Sequence, residues 1–306
     1  MIKRAFKNLQ DKQRMNKFHG TGVAMVTPFN TDGSVDLEGL KRLINFQIDG
    51  GVQYLVSLGT TGEASTLSKE EKKTVWEFTR DTVAGRVPLV AGIGGNSTSD
   101  VIKDLESFNS VGYDAILSVS PYYNRPTQEG IYQHYKAIAQ AAPLPVMLYN
   151  VPTRTGSNMT AETTLRLAHD FKNIIAVKEA AGNFDQFNKI LRDKPEDFLF
   201  ISGDDAVSLP LIAMGAVGII SVVANAIPGL FSKMIELCLQ GKFNDAQILH
   251  YKILEFTNSL FLEGNPCGVK EALKHLEICG NTLRLPLVNV SGELSSIIKK
   301  EVQNLG

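Results

Sequence analysis

Lys178 closes the apolar run Ile174-Ile175-Ala176-Val177 and is followed by Glu179. Such a run reads as a buried strand, so its last side chain emerges from water-poor surroundings. Desolvation disfavours an ammonium ion, and a neutral amine attacks a carbonyl to form a Schiff base. The competing reading is an ion pair with Glu179 or a nearby aspartate. Tyr149 ends the preceding apolar run, 29 residues earlier, so the two side chains become neighbours if the strands pair. A phenol there relays protons while a carbinolamine forms and dehydrates; the alternative is a ring in the core with its hydroxyl at the rim. Thr60 and Thr61, in Gly59-Thr60-Thr61-Gly62-Glu63, offer hydroxyls and backbone N–H groups that can nest a carboxylate. Arg154, the one basic residue of its loop, could grip a second carboxylate through two parallel hydrogen bonds, or simply face solvent. Tyr122 and Tyr123 are adjacent in a proline-bounded loop and cannot both point inward. One of them suits an oligomer interface, where tyrosine is favoured.

Other chemistries are less well supported. The histidines (His19, His134, His169, His250, His275) are scattered and match no metal-ligand spacing. Asp204-Asp205 with Glu63 could bind a divalent ion, although an aspartate capping a helix is the commoner use. Gly92-Ile93-Gly94-Gly95-Asn96 lacks the Lys-Ser/Thr of a phosphate loop, and no GxSxG nucleophile elbow is present.

The elements that must position these residues recur at nearly constant intervals. Apolar runs end near Pro28, Gly59, Gly92, Ser120, Tyr149, Lys178, Gly203 and Ser221, spaced 18 to 33 residues apart. Amphipathic helical patterns lie between them, such as Leu37–Gln47, Lys69–Val83, Gln128–Ala141 and Ala161–Asp170. Strand alternating with helix implies a parallel sheet, and eight such units predict a (β/α)8 TIM barrel, whose functional residues sit at the C-terminal strand ends. The rival is a doubly wound open sheet, which more often carries GxGxxG after its first strand; here that strand ends in Thr27-Pro28-Phe29. After Pro228 only helical patterns follow, at Leu230–Gln240, Phe243–Leu262, Cys267–Glu277 and Gly292–Val302. The expected organisation is therefore an N-terminal extension over 1–18, a barrel over 19–240 and a small C-terminal helical appendage over 241–306.

Composition narrows the function classes. Of 306 residues 43% are hydrophobic and 21% charged, enough for a sizeable core and too apolar for a disordered chain. The formal net charge of −1 gives no electrostatic footprint for nucleic acid or an anionic membrane. The 3 cysteines form no CxxC pair, which points to a reducing compartment rather than a disulfide framework. Met214–Phe231 is the most membrane-like stretch, but Ser221, Asn225 and Pro228 interrupt it. Met1–Phe18 is basic and lacks the apolar core of a secretory signal, and Met15 is a second candidate start. A cytoplasmic protein is the expectation.

Taken as a set, Gly59–Glu63, Tyr122-Tyr123-Asn124-Arg125-Pro126, Tyr149-Asn150-Val151-Pro152 and Val177-Lys178-Glu179-Ala180 resemble the dihydrodipicolinate synthase / N-acetylneuraminate lyase family of pyruvate-dependent class I aldolases. The resemblance runs from about Gly20 to near the C-terminus. Thr61 and Arg154 match the members that condense pyruvate with L-aspartate 4-semialdehyde in diaminopimelate and lysine biosynthesis. Rival readings are cleavage of N-acetylneuraminate or a 2-keto-3-deoxy sugar acid, and a non-catalytic ligand-binding barrel. The resemblance implies Lys178 as Schiff-base residue and a proton relay of Tyr149, Thr60 and Tyr123, the last reaching in from a neighbouring subunit. It further implies Thr61 on the pyruvate carboxylate, Arg154 on the semialdehyde carboxylate, and the main-chain carbonyls of Gly203 and Ile220 along the pocket. No metal or organic cofactor is implied. Many relatives are homotetramers built as dimers of dimers, some are dimers, and many are inhibited by lysine at a dimer interface. The matching positions are Ala64, Ser65, Lys69, Lys72, Asn96, Asp100 and Tyr122. Inhibitable members often carry His and Glu where this chain has Lys72 and Asp100. Glu263-Gly264-Asn265-Pro266-Cys267-Gly268 also departs from many relatives, which lack the Cys-Gly pair.

Overall fold

The computed structural model describes residues 17–305. Eight parallel strands close into a barrel in sequence order: β1 (Gly20–Ala24), β2 (Tyr54–Ser57), β3 (Leu89–Gly92), β4 (Ala115–Val119), β5 (Val146–Asn150), β6 (Ile174–Glu179), β7 (Leu199–Ser202) and β8 (Gly218–Ser221). Helices α1 (Leu37–Asp49), α2 (Lys69–Val83), α3 (Thr98–Ser107), α4 (Gln128–Ala141), α5 (Ala161–Asp170), α6 (Phe184–Asp193), α7 (Ser208–Ala213) and α8 (Pro228–Leu239) form the outer ring. Three more follow: α9 (Phe243–Ser259), α10 (Cys267–His275) and α11 (Gly292–Leu305). The predicted (β/α)8 architecture with helices after it is the one observed; most predicted elements match the observed ones to within two residues at each end, with slightly larger offsets at a few helix ends.

Local chemistry explains why the turns fall where they do. Asp36, Thr127, Thr160 and Asn183 each accept a hydrogen bond from a first-turn N–H of the helix that follows. Ser68 and Glu71 form a reciprocal capping box at the start of α2. Alternation along the strands then divides the core into two layers. Ala24, Val56, Leu117, Met147, Ala176, Ile201 and Ile220 fill the barrel interior, while Val23, Leu55, Leu148 and Val177 pack outward against the helices. Closure requires glycine at one seam. A Cβ on Gly218 would lie 2.0 Å from the carbonyl oxygen of Gly20, so any larger residue would force β1 and β8 apart.

The expected extension over 1–18 needs a correction at its end, its first 16 residues lying outside the described residues. Phe18 is 1% exposed and meets Tyr54 edge to face at 5.5 Å, within the interior core. Burying an aromatic at the strand N-termini removes that area from water, so Phe18 belongs to the barrel. Lys17 is also part of it, its Nζ 2.7 Å from Asp114 Oδ1. No helix among the described residues is long and apolar enough to cross a membrane.

Candidate active site

Strand register sets the lysine side of the site. Tyr149 pairs with Lys178 across β5 and β6, and Asn150 with Glu179. With a period of two, Tyr149 and Lys178 point into the barrel mouth while Asn150 and Glu179 point out towards the helices. Lys178 is 5% exposed, and its Nζ stands 4.3 Å from the centroid of the Tyr149 ring. The ion pair with Glu179 is ruled out by that alternation. The Glu179 carboxylate accepts hydrogen bonds from Asn150 Nδ2, Gln186 Nε2 and the Ala181 N–H instead. Among the described residues no carboxylate lies within ion-pair distance of Lys178. Gly203 leaves room for the lysine, since a Cβ there would come 3.1 Å from Lys178 Cε. Ile220 lies fully buried in the interior layer, with its main chain on β8.

Burial also perturbs two carboxyls behind the strands. Burial pushes Glu179 up to about 7, against the opposing pull of its amide donors. Asp205 is pushed up to about 6 for the same reason. Its carboxylate accepts from the Ser221 hydroxyl and from the N–H groups of Val222 and Val223. Those bonds reinforce the seam where β7 and β8 share one registered pair, Ser202 with Ile219. Asp205 is therefore bonded across that seam, not at the start of its own helix, whose N-cap is Val207. Glu63 is engaged elsewhere, so the trio of Asp204, Asp205 and Glu63 does not converge.

The threonine side is assembled differently. Thr60–Gly62 is a single 3-10 turn, held by the Thr27 hydroxyl donating to the Gly62 carbonyl at 2.7 Å. Thr60 is exposed at the mouth, whereas Thr61 is 2% exposed. The Thr61 hydroxyl accepts a 3.0 Å hydrogen bond from Asn265 Nδ2. Glu63, in the left-handed region with φ 52°, forms an ion pair with Lys270 at 2.5 Å, both side chains fully buried. Arg284 adds its main-chain N–H to Glu63 and a guanidinium pair to Glu71, which holds Glu71 down at about 2. Arg154 sits on the helical turn Pro152–Thr155 and donates from Nη2 to the main-chain carbonyl of Asn265 at 3.2 Å.

A cavity of about 360 Å3 opens beside these residues, with Thr60, Leu117, Val119, Tyr149 and Arg154 among its walls, whereas Lys178, Thr61, Gly203 and Ile220 stand outside its lining. It continues to Ala64, Ser65, Lys72 and Tyr122, four of the seven positions matched to the lysine-inhibition site. The other three stand outside its lining. Lys69 approaches Asp104 at 4.0 Å, the Asn96 carbonyl accepts from Asn124, and Asp100 pairs with Lys103 at 3.3 Å. The acid that lines the cavity is Asp104, together with Trp76, one helical turn beyond Asp100. Tyr123 is not brought to the lysine within this chain. It is 88% exposed with φ 71°.

Sequence reasoning missed Asn265, Lys270 and Arg284 as supports of the threonine turn. The Asn265-Pro266-Cys267-Gly268 segment stood out as unusual, but nothing in its spacing connects it to Thr61, 204 residues away.

The class that this fold and site define is the lysine-centred (β/α)8 barrel. Residues 17–305 match the model of the dihydrodipicolinate synthetase family, and the chain belongs to that family. It is 55% identical over 282 residues to a 4-hydroxy-tetrahydrodipicolinate synthase of Flavobacterium psychrophilum, covering 92% of this chain and 96% of that one. Among solved structures it resembles the dihydrodipicolinate synthase of Acinetobacter baumannii complexed with pyruvate, with TM-score 0.90 and 39% identity over 94% of this chain and 98% of the other. The lysine-bound enzyme of Cyanidioschyzon merolae is similar at TM-score 0.91 and 38% identity, over 94% and 98% of the two chains.

Proposed function

We infer that this chain condenses pyruvate with L-aspartate 4-semialdehyde, the 4-hydroxy-tetrahydrodipicolinate synthase reaction. Family membership and the 55% identity to a relative of that activity support the assignment. The observation that carries the mechanism is the buried Lys178 amine, facing the Tyr149 ring with no carboxylate partner among the described residues.

In the proposed sequence the Lys178 amine adds to the pyruvate ketone. The carbinolamine loses water to give an imine, with Tyr149 and Thr60 passing protons. Loss of a methyl proton gives an enamine, whose carbon attacks the aldehyde of the second substrate. The substrate amine then adds to the imine carbon and expels Lys178, which closes the ring and frees the enzyme. One water is released overall. Thr61 holds the pyruvate carboxylate, with the carbonyls of Gly203 and Ile220 nearby, and Arg154 holds the semialdehyde carboxylate. Tyr123 completes the relay of a neighbouring subunit, a reading that suits its 88% exposure, and makes the enzyme a homo-oligomer. Lysine binding at the Ala64, Ser65, Lys72 and Tyr122 end of the cavity belongs to the same proposal.

Borohydride reduction with pyruvate present tests the assignment. One pyruvate-derived adduct is expected, located on Lys178 by peptide mass mapping. Trapping elsewhere, or none, would overturn it.

A further inference from the structure

We propose that Asn265 is a positioning residue that orients the Thr61 hydroxyl for the keto-acid carboxylate and joins that subsite to Arg154. This rests on the roles given above to Thr61 and Arg154. Asn265 lies between α9 and α10, outside every strand-end loop of the barrel. Its side-chain N–H donates to Thr61 Oγ1 at 3.0 Å, while its main-chain carbonyl accepts from Arg154 at 3.2 Å. One residue therefore touches both groups that would bind carboxylates, from positions 204 and 111 residues away in the chain.

The hydroxyl of a threonine has one proton and two lone pairs. An amide N–H on one lone pair leaves the proton free to point at a further acceptor, and a bound carboxylate is such an acceptor. Without that donor nothing fixes the rotation of the hydroxyl, and its proton is no longer held towards the carboxylate. The fold itself gains little from this amide. Asn265 is 8% exposed, and its Oδ1 is buried with no partner among the described residues, an unsatisfied acceptor of the kind that structure alone disfavours. Lys270, on the following helical turn, pairs with Glu63 two residues beyond Thr61, so the segment and the threonine turn hold a fixed mutual geometry.

The test measures both half-saturating concentrations and kcat for Asn265→Ala and Asn265→Asp. Removing one hydrogen bond to a charge-binding group corresponds to about a tenfold change. Asn265→Ala should raise the pyruvate KM about tenfold and leave the semialdehyde KM and kcat within about twofold, because the main-chain contact to Arg154 persists. Asn265→Asp can only accept, so it takes the Thr61 proton and should raise the pyruvate KM further; it serves alone if the alanine variant does not fold. In a Thr61→Val background Asn265→Ala should add less than about twofold. Equal rises in both KM values, no change in the pyruvate KM, or a full tenfold effect in the Thr61→Val background would each overturn the proposal. Borohydride trapping on the unmodified enzyme separates the layers. No adduct there sinks the Schiff-base reading itself, whereas an adduct with an unshifted pyruvate KM sinks only the role of Asn265.

Discussion

The two sides of the candidate site are built by opposite means. On the lysine side, Tyr149 and Lys178 are registered partners on consecutive strands and Gly203 directly follows the next strand, so barrel register makes them neighbours. On the threonine side, Thr61 and Arg154 are braced by Asn265, Lys270 and Arg284, which follow the last barrel helix. The position of the Lys178 amine thus depends on the part of the fold hardest to change, since shifting a strand by one residue turns every side chain on it to the other layer. Thr61 and Arg154 depend in addition on residues of the appended helical region, which packs into the same core as the barrel helices. In the proposed mechanism the nucleophile is placed by strand register, and carboxylate binding also draws on contacts from beyond the barrel.

The sharpest way to break this contrast is Lys178→Ala. Turnover should fall by at least about 10³-fold, as expected on losing a covalent nucleophile, with the circular-dichroism spectrum of the barrel retained. Activity within tenfold of the parent would remove the lysine side from the chemistry. Lys270→Met strikes the other side through stability. It leaves Glu63 buried and unpaired, at about 3–5 kcal/mol, so the melting temperature should drop by roughly 10 °C. Adding Glu63→Gln should recover much of the loss, and a drop that persists would mean the pair is not the tie.

Arg154→Ala is a smaller and more selective change. The semialdehyde KM should rise by about 10–100-fold, the size of a lost charge-assisted contact, while borohydride trapping of pyruvate stays intact. Equal damage to both would merge the two sides. The smallest effect concerns the layer behind the lysine. A carboxyl near 4.5 when unfolded and about 7 when folded keeps a proton in the native state that the unfolded chain has released. Glu179 therefore contributes most below pH 4.5, and that contribution, about 3 kcal/mol, is lost as pH rises to about 7. Asp205 adds a similar slope at lower pH, up to about 6. Glu179→Gln should flatten the decline in melting temperature between pH 5 and 8, whatever its absolute stability. An unchanged slope would show that the group is ionised throughout.

Much of the lysine side was legible in the residues. Lys178 and Tyr149 each end an apolar run, and the 29-residue interval is one βα unit, so neighbouring strands follow from the repeat. The competing ion pair with Glu179 failed for a reason also present in the sequence, because consecutive strand residues face opposite layers. The placement of Phe18 was read wrongly, since a single aromatic after a basic stretch carries no periodicity to mark it as core. Of the positions matched to the lysine-inhibition site, Ala64, Ser65, Lys72 and Tyr122 line one cavity with Asp104, whereas Asp100 does not line it. Both acids lie on α3, one turn apart, and the packing of that helix decides which one lines the cavity.

By itself the sequence determined the barrel, the order of its strands and the identity of the inward-facing amine and phenol, because alternation and the βα repeat are local patterns that a chain carries wherever it folds. Tertiary structure alone decided how the threonine turn and the arginine are held. Their supports are single polar contacts between residues 111 to 221 positions apart in the chain, and hydrogen bonds at that separation leave no periodic trace in the sequence.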